Sequence, residues 1–557
     1  MGAKTTPLSR RQVMASTLAV GGAATLATDH AHADVDPRTP GTLTPPADGG
    51  PFLHGVASGD PLPTSVVLWT RITPTPQAQP GSGRGPRVRV GWEVALDADF
   101  ATVVAHGTAT TGPERDHTVH VDPFTLSPDT AYFYRFTALD GPDAGATSPV
   151  GRTRTTPEDD AAVERWRLAV CSCANLEAGY FEAYRDIADR AGRGEFDAVV
   201  HLGDYIYEYA TGAKVGKNGV ARAFHPPHAL VTRADYAARY GQYRLDPSLQ
   251  RAHAALPWIV TWDDHEVADN WHADGSPDHH ADQGSWADRR DGAMRAYFDW
   301  LPVRGSAPAD GGRLYRTLRV GTLAELHMLD LRSYRRGPGQ LLPGRAGSTI
   351  VGAEQFTWLS GKLRTSDTRW SLVGTSVMIS PVSAAGLDDA VRPLLAELIG
   401  VALPVELNAT MNLDQWDGYV ADRHRLLEQI AADRPDGSTV FLTGDIHSEW
   451  AGVVRHGGEV IGAELVTSSV SATNVDDRLH LPKNNPVSRL AAAHLLANNG
   501  HFSHLNLDEH GYLEVVITRE DVAATWWRVD DVEAEHSPLS AGPSARYGDA
   551  QLTMTPP

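Results

Sequence analysis

Three apolar runs, each ending abruptly in acids and histidines, constrain this chain more than anything else in it. Phe196–Gly203 ends at Asp204, in Val200-His-Leu-Gly-Asp-Tyr-Ile-Tyr-Glu208. Trp258–Trp262 ends in Asp263-Asp264-His265-Glu266, and Thr439–Thr443 ends in Gly444-Asp445-Ile446-His447. Runs of this length read as buried strands, and Ala178–Ala191, ahead of the first, and Trp286–Leu301, after the second, carry helical spacing. Further strands are expected at Arg167–Ser172 and Trp370–Ile379. Strands alternating with helices imply a layered α/β domain, in which ligands gather at the carboxyl ends of strands. Charges at a buried strand end are costly unless paired or metal-bound, so three such clusters in one domain are most economically explained by a metal site. Taken singly, each residue has a plainer reading. Asp204 could cap a helix and Tyr207 could be packing. Cys173, at another strand end, is by itself more often a small buried hydrophobe. Asp445 and His447 would alternate along an extended segment and face one centre.

The front of the chain has a different texture. Residues 34–51 have the Pro, Gly, Thr and Asp content of a linker. From Phe52 to Thr156 short alternating stretches recur between Gly, Pro and Asp turns, among them Ser65–Ile72, Val88–Val94, His117–Val121 and Ala131–Phe136. That spacing predicts an all-β sandwich of the immunoglobulin or fibronectin type over 52–156, followed by the layered α/β domain over 160–535. Leu479–His501 reads as a polar, partly helical insertion, and residues 536–557 as a C-terminal tail.

Ahead of all this, Ser9-Arg10-Arg11-Gln-Val-Met14 precedes a weakly apolar run from Ala15 to Ala27 and an Ala31-His32-Ala33 cleavage pattern. Twin arginines in that setting mark a signal for the Tat export machinery over residues 1–33, so a secreted, soluble mature protein starting near Asp34 is expected. The run is well short of the roughly 20 apolar residues a membrane span needs.

Composition narrows the partners. The formal net charge is −20, which argues against a stable nucleic-acid complex, since such binding rests on neutralising phosphates with Lys and Arg. An anionic substrate would have to be held locally, most simply by metal. The two cysteines, Cys171 and Cys173, sit two positions apart and cannot staple distant segments. Length and hydrophobic content suit two to four domains at about 150 residues each.

At these residues the chain resembles a known family. A strand-terminal Gly-Asp, an acid-His-Glu group and a Gly-x-x-His group are similar to the calcineurin-like metallophosphoesterase superfamily, a four-layer α/β sandwich. Ser172-Cys173 in place of the usual Asp-x-His, and Trp262-Asp-Asp-His-Glu266 in place of Gly-Asn-His-Glu, resemble the PhoD-type alkaline phosphatases within it. So do Gly55-Val-Ala-Ser-Gly-Asp-Pro61, Val67-Leu-Trp-Thr-Arg71, Leu329-Asp-Leu-Arg332, Trp416-Asp-Gly-Tyr419 and Thr443–Ser448, and the likeness runs from about 52 to 530.

The resemblance implies a ferric iron held by Cys173, Asp204, Tyr207 and His447, with calcium beside it. Asp204 would bridge, and Asp264 and Asp445 would serve calcium. It implies His265 as the general acid, the plainer alternative being that His265 only orients Asp264. Cys171 has no such role and reads as strand packing. Asn270, Arg289 and Arg332 lie near the motifs and stay unassigned. The loop His272–Asp282 could hold extra calcium, although a solvated acidic loop is the simpler reading.

Three functions remain open. The leading one is a phosphatase and phosphodiesterase acting on small esters or cell-wall polymers. The second is a phospholipase D, with transient membrane-surface contact, which the same family contains. The third is a non-catalytic wall-binding protein, which would require a decayed metal centre.

Overall fold

In the computed structural model the described residues are Leu43, 50–336, 348–383 and 412–557. The expected export signal, and nearly all of the expected linker, lie outside them. Arg165–Cys171, Ala198–Leu202 and Pro257–Thr261 form adjacent parallel strands. Each is buried on both faces, as apolar parallel strands should be. Leu168, Val170, Val200, Leu202 and Ile259 point into a core shared with a second sheet. Ala169, Cys171, Val199, Trp258 and Val260 point the other way, into a core shared with helices.

The first sheet has ten strands, and its outer face is covered by the helices Glu182–Gly192, Arg233–Tyr243, Pro247–Ala255 and Trp286–Trp300. These helices start where the sequence supplies caps. Thr232 and Asp235 form a capping box, Asp246 caps ahead of Pro247, and Ser285 accepts from the Asp288 amide. The first of them begins at Glu182 rather than Ala178, because Tyr180 N–H is taken by the Val532 carbonyl at 2.6 Å. The second sheet has seven strands, with Ala324–Met328, Trp370–Thr375, Thr439–Thr443 and Glu459–Val466 parallel at its centre. Gly352–Thr365 and Val420–Asp433 pack on its outer face. No described helix is long and apolar enough to cross a membrane.

The front region is mainly strands, but it does not close on itself. Val56–Leu62 pairs in parallel with Pro257–Thr261, and Ser65–Arg71 and Thr118–Val121 continue outward, so three front strands extend the ten-stranded sheet. The four-stranded sheet of Val88–Ala95, Val103–Thr111, Ala131–Ala138 and Gly151–Arg154 packs over that extension around Val56, Leu68, Val90 and Tyr134. The reason is visible in Val56–Leu62, which is buried along almost its whole length and fits an interior parallel position. Gly59 permits the close approach, since a Cβ there would meet the Pro302 carbonyl at 2.2 Å.

The C-terminal tail expected over 536–557 is instead structure. Leu539–Gly548 and Gln551–Thr555 are the outermost strands of the ten-stranded sheet. The Pro, Ser and Gly content misleads because most side chains of Leu539–Gly548 are small, while Ala545 and Tyr547 are buried and the Tyr547 hydroxyl donates to the Gly437 carbonyl at 2.7 Å. Tyr547→Ala is expected to cost about 3 kcal/mol or more, the usual loss for a large buried aromatic. A denaturant titration against the parent chain would read it.

Candidate metal centre

Four parallel strands deliver their carboxyl ends to one place. Arg165–Cys171 leads to Cys173, Ala198–Leu202 to Asp204, Pro257–Thr261 to Asp263 and Asp264, and Thr439–Thr443, from the other sheet, to Asp445. Glycines let the ends touch. A Cβ on Gly203 would fall 2.5 Å from that of Asp263, and one on Gly444 would fall 2.9 Å from that of Ser172. Each strand then breaks sharply. Cys173, Asp204, Asp445 and His447 all have left-handed φ, at 61°, 57°, 66° and 50°. Non-glycine residues pay for that conformation, and such strain clusters at functional sites. The extended segment expected for Asp445–His447 is therefore a turn, although both side chains still lie at the centre.

Donor atoms of Cys173, Asp204 and His447 lie within 4.8 Å of one another, and so do those of Asp204, Asp264 and His265. Asp204 belongs to both groups. Tyr207 joins the first, its hydroxyl donating to Asp204 Oδ2 at 3.1 Å and lying 3.3 Å from His447 Nε2. His447 Nδ1 donates to the Thr473 carbonyl at 3.0 Å, which leaves the Nε2 lone pair facing inward, the second-sphere arrangement typical of a metal-binding imidazole. Asp445 falls in neither group. Its Oδ2 accepts from Gln415 Nε2 at 2.9 Å, and its charge reaches Cys173, Asp263 and Asp264.

His265 sits at the rim, its ring centroid 4.2 Å from that of Tyr207 and 5.1 Å from that of Tyr209. Its Nδ1 meets Glu208 Oε2 at 2.9 Å. Burial opposes a charge on this ring, but the carboxylates of Asp264, Glu208 and Asp204 outweigh it and hold the imidazole well above its usual range. Burial raises the Cys173 thiol, the Tyr207 phenol and the Asp204 and Asp445 carboxyls well above theirs, and neighbouring negative charge adds to it. Asp264 goes the other way. Burial is overcome by His265, Arg332 and the Asn270 amide, which hold its carboxyl below the usual range. Burial lowers His447 to about 3, with Arg478 adding to the effect.

Much of the scaffold was not apparent from the sequence. Glu266, burial-shifted up to about 7, accepts the backbone amides of Asp204, Tyr205 and Asp263 at 3.1, 2.6 and 2.9 Å and so clasps two ligand loops together. Its place beside His265 was the available signal. Glu266→Ala leaves those three amides without an acceptor and is expected to cost about 3 kcal/mol or more, measurable by urea unfolding.

Arg332 is fully buried and bridges Asp263 at 2.7 Å and Asp414 at 2.8 Å, so it is an interior charge partner. Arg289, also buried, bonds the Tyr236 hydroxyl, the Asp278 carbonyl and Gln283, and thereby ties down the His272–Asp282 loop. The carboxylates of that loop, Asp274, Asp278 and Asp282, are exposed. Asn270, at φ 53°, gives its amide to Asp264 at 2.7 Å. Cys171 lies in the helix-side core, its thiol 3.9 Å from the Val200 carbonyl, and belongs to neither donor group.

Comparison with known proteins identifies this arrangement. Residues 168–526 match the PhoD-like phosphatase family and residues 38–157 match its N-terminal domain. Alkaline phosphatase D of Bacillus subtilis (strain 168) is 34% identical over 495 residues, covering 86% of this chain and 77% of that protein. The chain belongs to the PhoD-like phosphatase family. It is accordingly a hydrolase of phosphoric esters. A solved structure of PhoD superposes on this PhoD-like chain with a TM-score of 0.78 at 31% identity, covering 92% of this chain and 93% of that one. A purple acid phosphatase from yellow lupin (Lupinus luteus) seeds, PPD1, superposes at 0.53 with 11% identity over 87% of this chain and 73% of its own, a likeness of fold alone.

The donor set fits metal ions. A buried thiol, phenol, imidazole and carboxylates crowded together are the donor types that bind metal ions, and a bound cation would offset the cost of burying their charged forms.

Proposed function

We propose that this PhoD-like chain is a secreted, metal-dependent phosphoesterase that hydrolyses phosphomonoesters and phosphodiesters with water as nucleophile. The observation that carries the reading is the pair of ligand groups sharing Asp204. Cys173, Asp204, Tyr207 and His447 would hold ferric iron, because thiolate and phenolate donors suit a highly charged transition metal. Asp204, Asp264 and Asp445, which offer oxygen only, suit calcium. Such a metal pair, when bound, would supply Lewis acidity toward the phosphate and the attacking water.

The residues around it do the rest. Glu208 fixes Nδ1 of His265, so Nε2 is the nitrogen that gives its proton to the departing alkoxide. The Tyr207 and Tyr209 rings hold the imidazole in place. Arg332 balances Asp263 and Asp264 from beneath. The two packed sheets with helices on their outer faces support reading the domain as a four-layer metallophosphoesterase sandwich, and the mainly β front region supports reading it as an immunoglobulin-like module that borrows one layer from it. Export through the Tat machinery rests on Arg10-Arg11 and the run that follows.

A 31P NMR time course at mildly alkaline pH with added calcium tests the reading on a phosphomonoester, a simple phosphodiester and phosphatidylcholine micelles together. Accumulating inorganic phosphate, or product monoester from the diester, is the expected result. Conversion of phosphatidylcholine to phosphatidic acid while the monoester persists would make the chain a phospholipase D. No change in any resonance with metal-replete protein would overturn both.

A further inference from the structure

Beside His447 the chain runs into a short helix, Val475–Arg478, that is anchored from several sides. Asn474 and Asp477 form a capping box. Asp477 Oδ2 meets His510 Nε2 at 2.8 Å, and His510 Nδ1 meets the buried Ser469 hydroxyl at 3.0 Å. Asp476 pairs with Lys217 at 2.8 Å. Everything in the helix that can be tied down is tied down, except the side chain at its end.

Arg478 is exposed, and no hydrogen bond or ion pair to its guanidinium is present among the described residues. An exposed arginine is ordinarily a solvated surface group. Two observations set this one apart. It lines a small cavity together with His447, Gln415, Ser448 and Asn474, so it borders the ligand groups rather than the outer surface. Its charge is felt by Tyr207, Tyr209 and Asp445, and it helps to lower His447. The other arginines near the centre are consumed internally. Arg332 and Arg335 serve Asp263 and Asp414, and Arg239 serves the carbonyls of Tyr207 and Tyr209. A phosphate approaching a centre so rich in carboxylates therefore finds at Arg478 a guanidinium with its donors free.

We propose that Arg478 is a substrate-binding residue that donates to a non-bridging oxygen of the phosphate from the His447 side of the cleft. This deepens the phosphoesterase reading and rests on it. Guanidinium matches phosphate geometry in a way that ammonium does not, so lysine can replace the charge but not the paired donors. A monoester keeps three non-bridging oxygens and a diester two, so both can make the contact.

The test uses the full-length, metal-loaded chain with p-nitrophenyl phosphate and bis-p-nitrophenyl phosphate as substrates and inorganic phosphate as inhibitor. Arg478→Gln is expected to raise KM for both esters and Ki for phosphate by about tenfold to a hundredfold, with metal content and melting temperature unchanged. Arg478→Lys is expected to recover part of that loss. A phosphate Ki within about twofold of the parent in both variants overturns the proposal. Loss of metal or of fold in both variants overturns it too, since the residue would then be structural. A parent chain that hydrolyses neither ester and does not bind phosphate brings down the phosphoesterase reading and this inference together. An active parent with an unmoved Ki removes Arg478 alone.

Discussion

Asp204→Asn is expected to abolish hydrolysis, lowering kcat/KM by about a thousandfold or more, which corresponds to about 4 kcal/mol of transition-state stabilisation. The expectation follows from position. Asp204 is common to both ligand groups, receives the Tyr207 hydroxyl and is set by the Glu266 clasp, so its charge cannot be lost from one group without the other. Elemental analysis of the purified variant should show both metals depleted. Cys173→Ser should deplete the iron-type metal with activity, whereas Cys171→Ser, two residues earlier and outside both donor groups, should leave metal content intact. Metal retained at parental levels in Asp204→Asn would show that the two groups do not share a ligand.

His265→Asn should behave differently. The metals are expected to stay while kcat for an alkyl phosphate falls by about 10²–10⁴, the usual worth of general acid catalysis. The loss should shrink for p-nitrophenyl phosphate, whose leaving group needs no proton. Equal losses on both substrates would mean that His265 only orients its neighbours, notably Asp264, and Glu208 would then be serving a structural ring. Comparing the two leaving groups separates these roles, which a single rate cannot.

The residues gathered at the candidate centre were legible because they follow buried parallel strands, where apolar runs give way to acids and histidines without a transition. Asp204, Asp264, Asp445 and His447 stand out on that ground alone. Cys173 and Tyr207 did not, and needed a family resemblance, since a thiol or a phenol at a strand end packs as readily as it ligates. The scaffold was harder. Glu266 and Arg332 act through backbone amides and through one another, and such contacts join segments far apart in sequence. Arg478 gave no sequence signal at all, because being unpaired is a property of surroundings. The fold was harder to read where local texture is ambiguous. Short front strands look alike whether they stay within a sandwich of their own or also extend a neighbour's sheet, as Val56–Leu62, Ser65–Arg71 and Thr118–Val121 do. Leu539–Gly548 alternates too weakly to announce itself, with serine, glycine and alanine at most positions.

The strand that carries Cys173 pairs on one side with Ala198–Leu202 and on the other with His510–Thr518. Val56–Leu62 likewise waits for Pro257–Thr261. Pairings that close such long loops are formed late and slowly, and a growing chain cannot form them until the distant partner has been made. A chain cut short before residue 510 would leave Arg165–Cys171 paired on the Ala198–Leu202 side only, with the other edge that leads to Cys173 open to solvent.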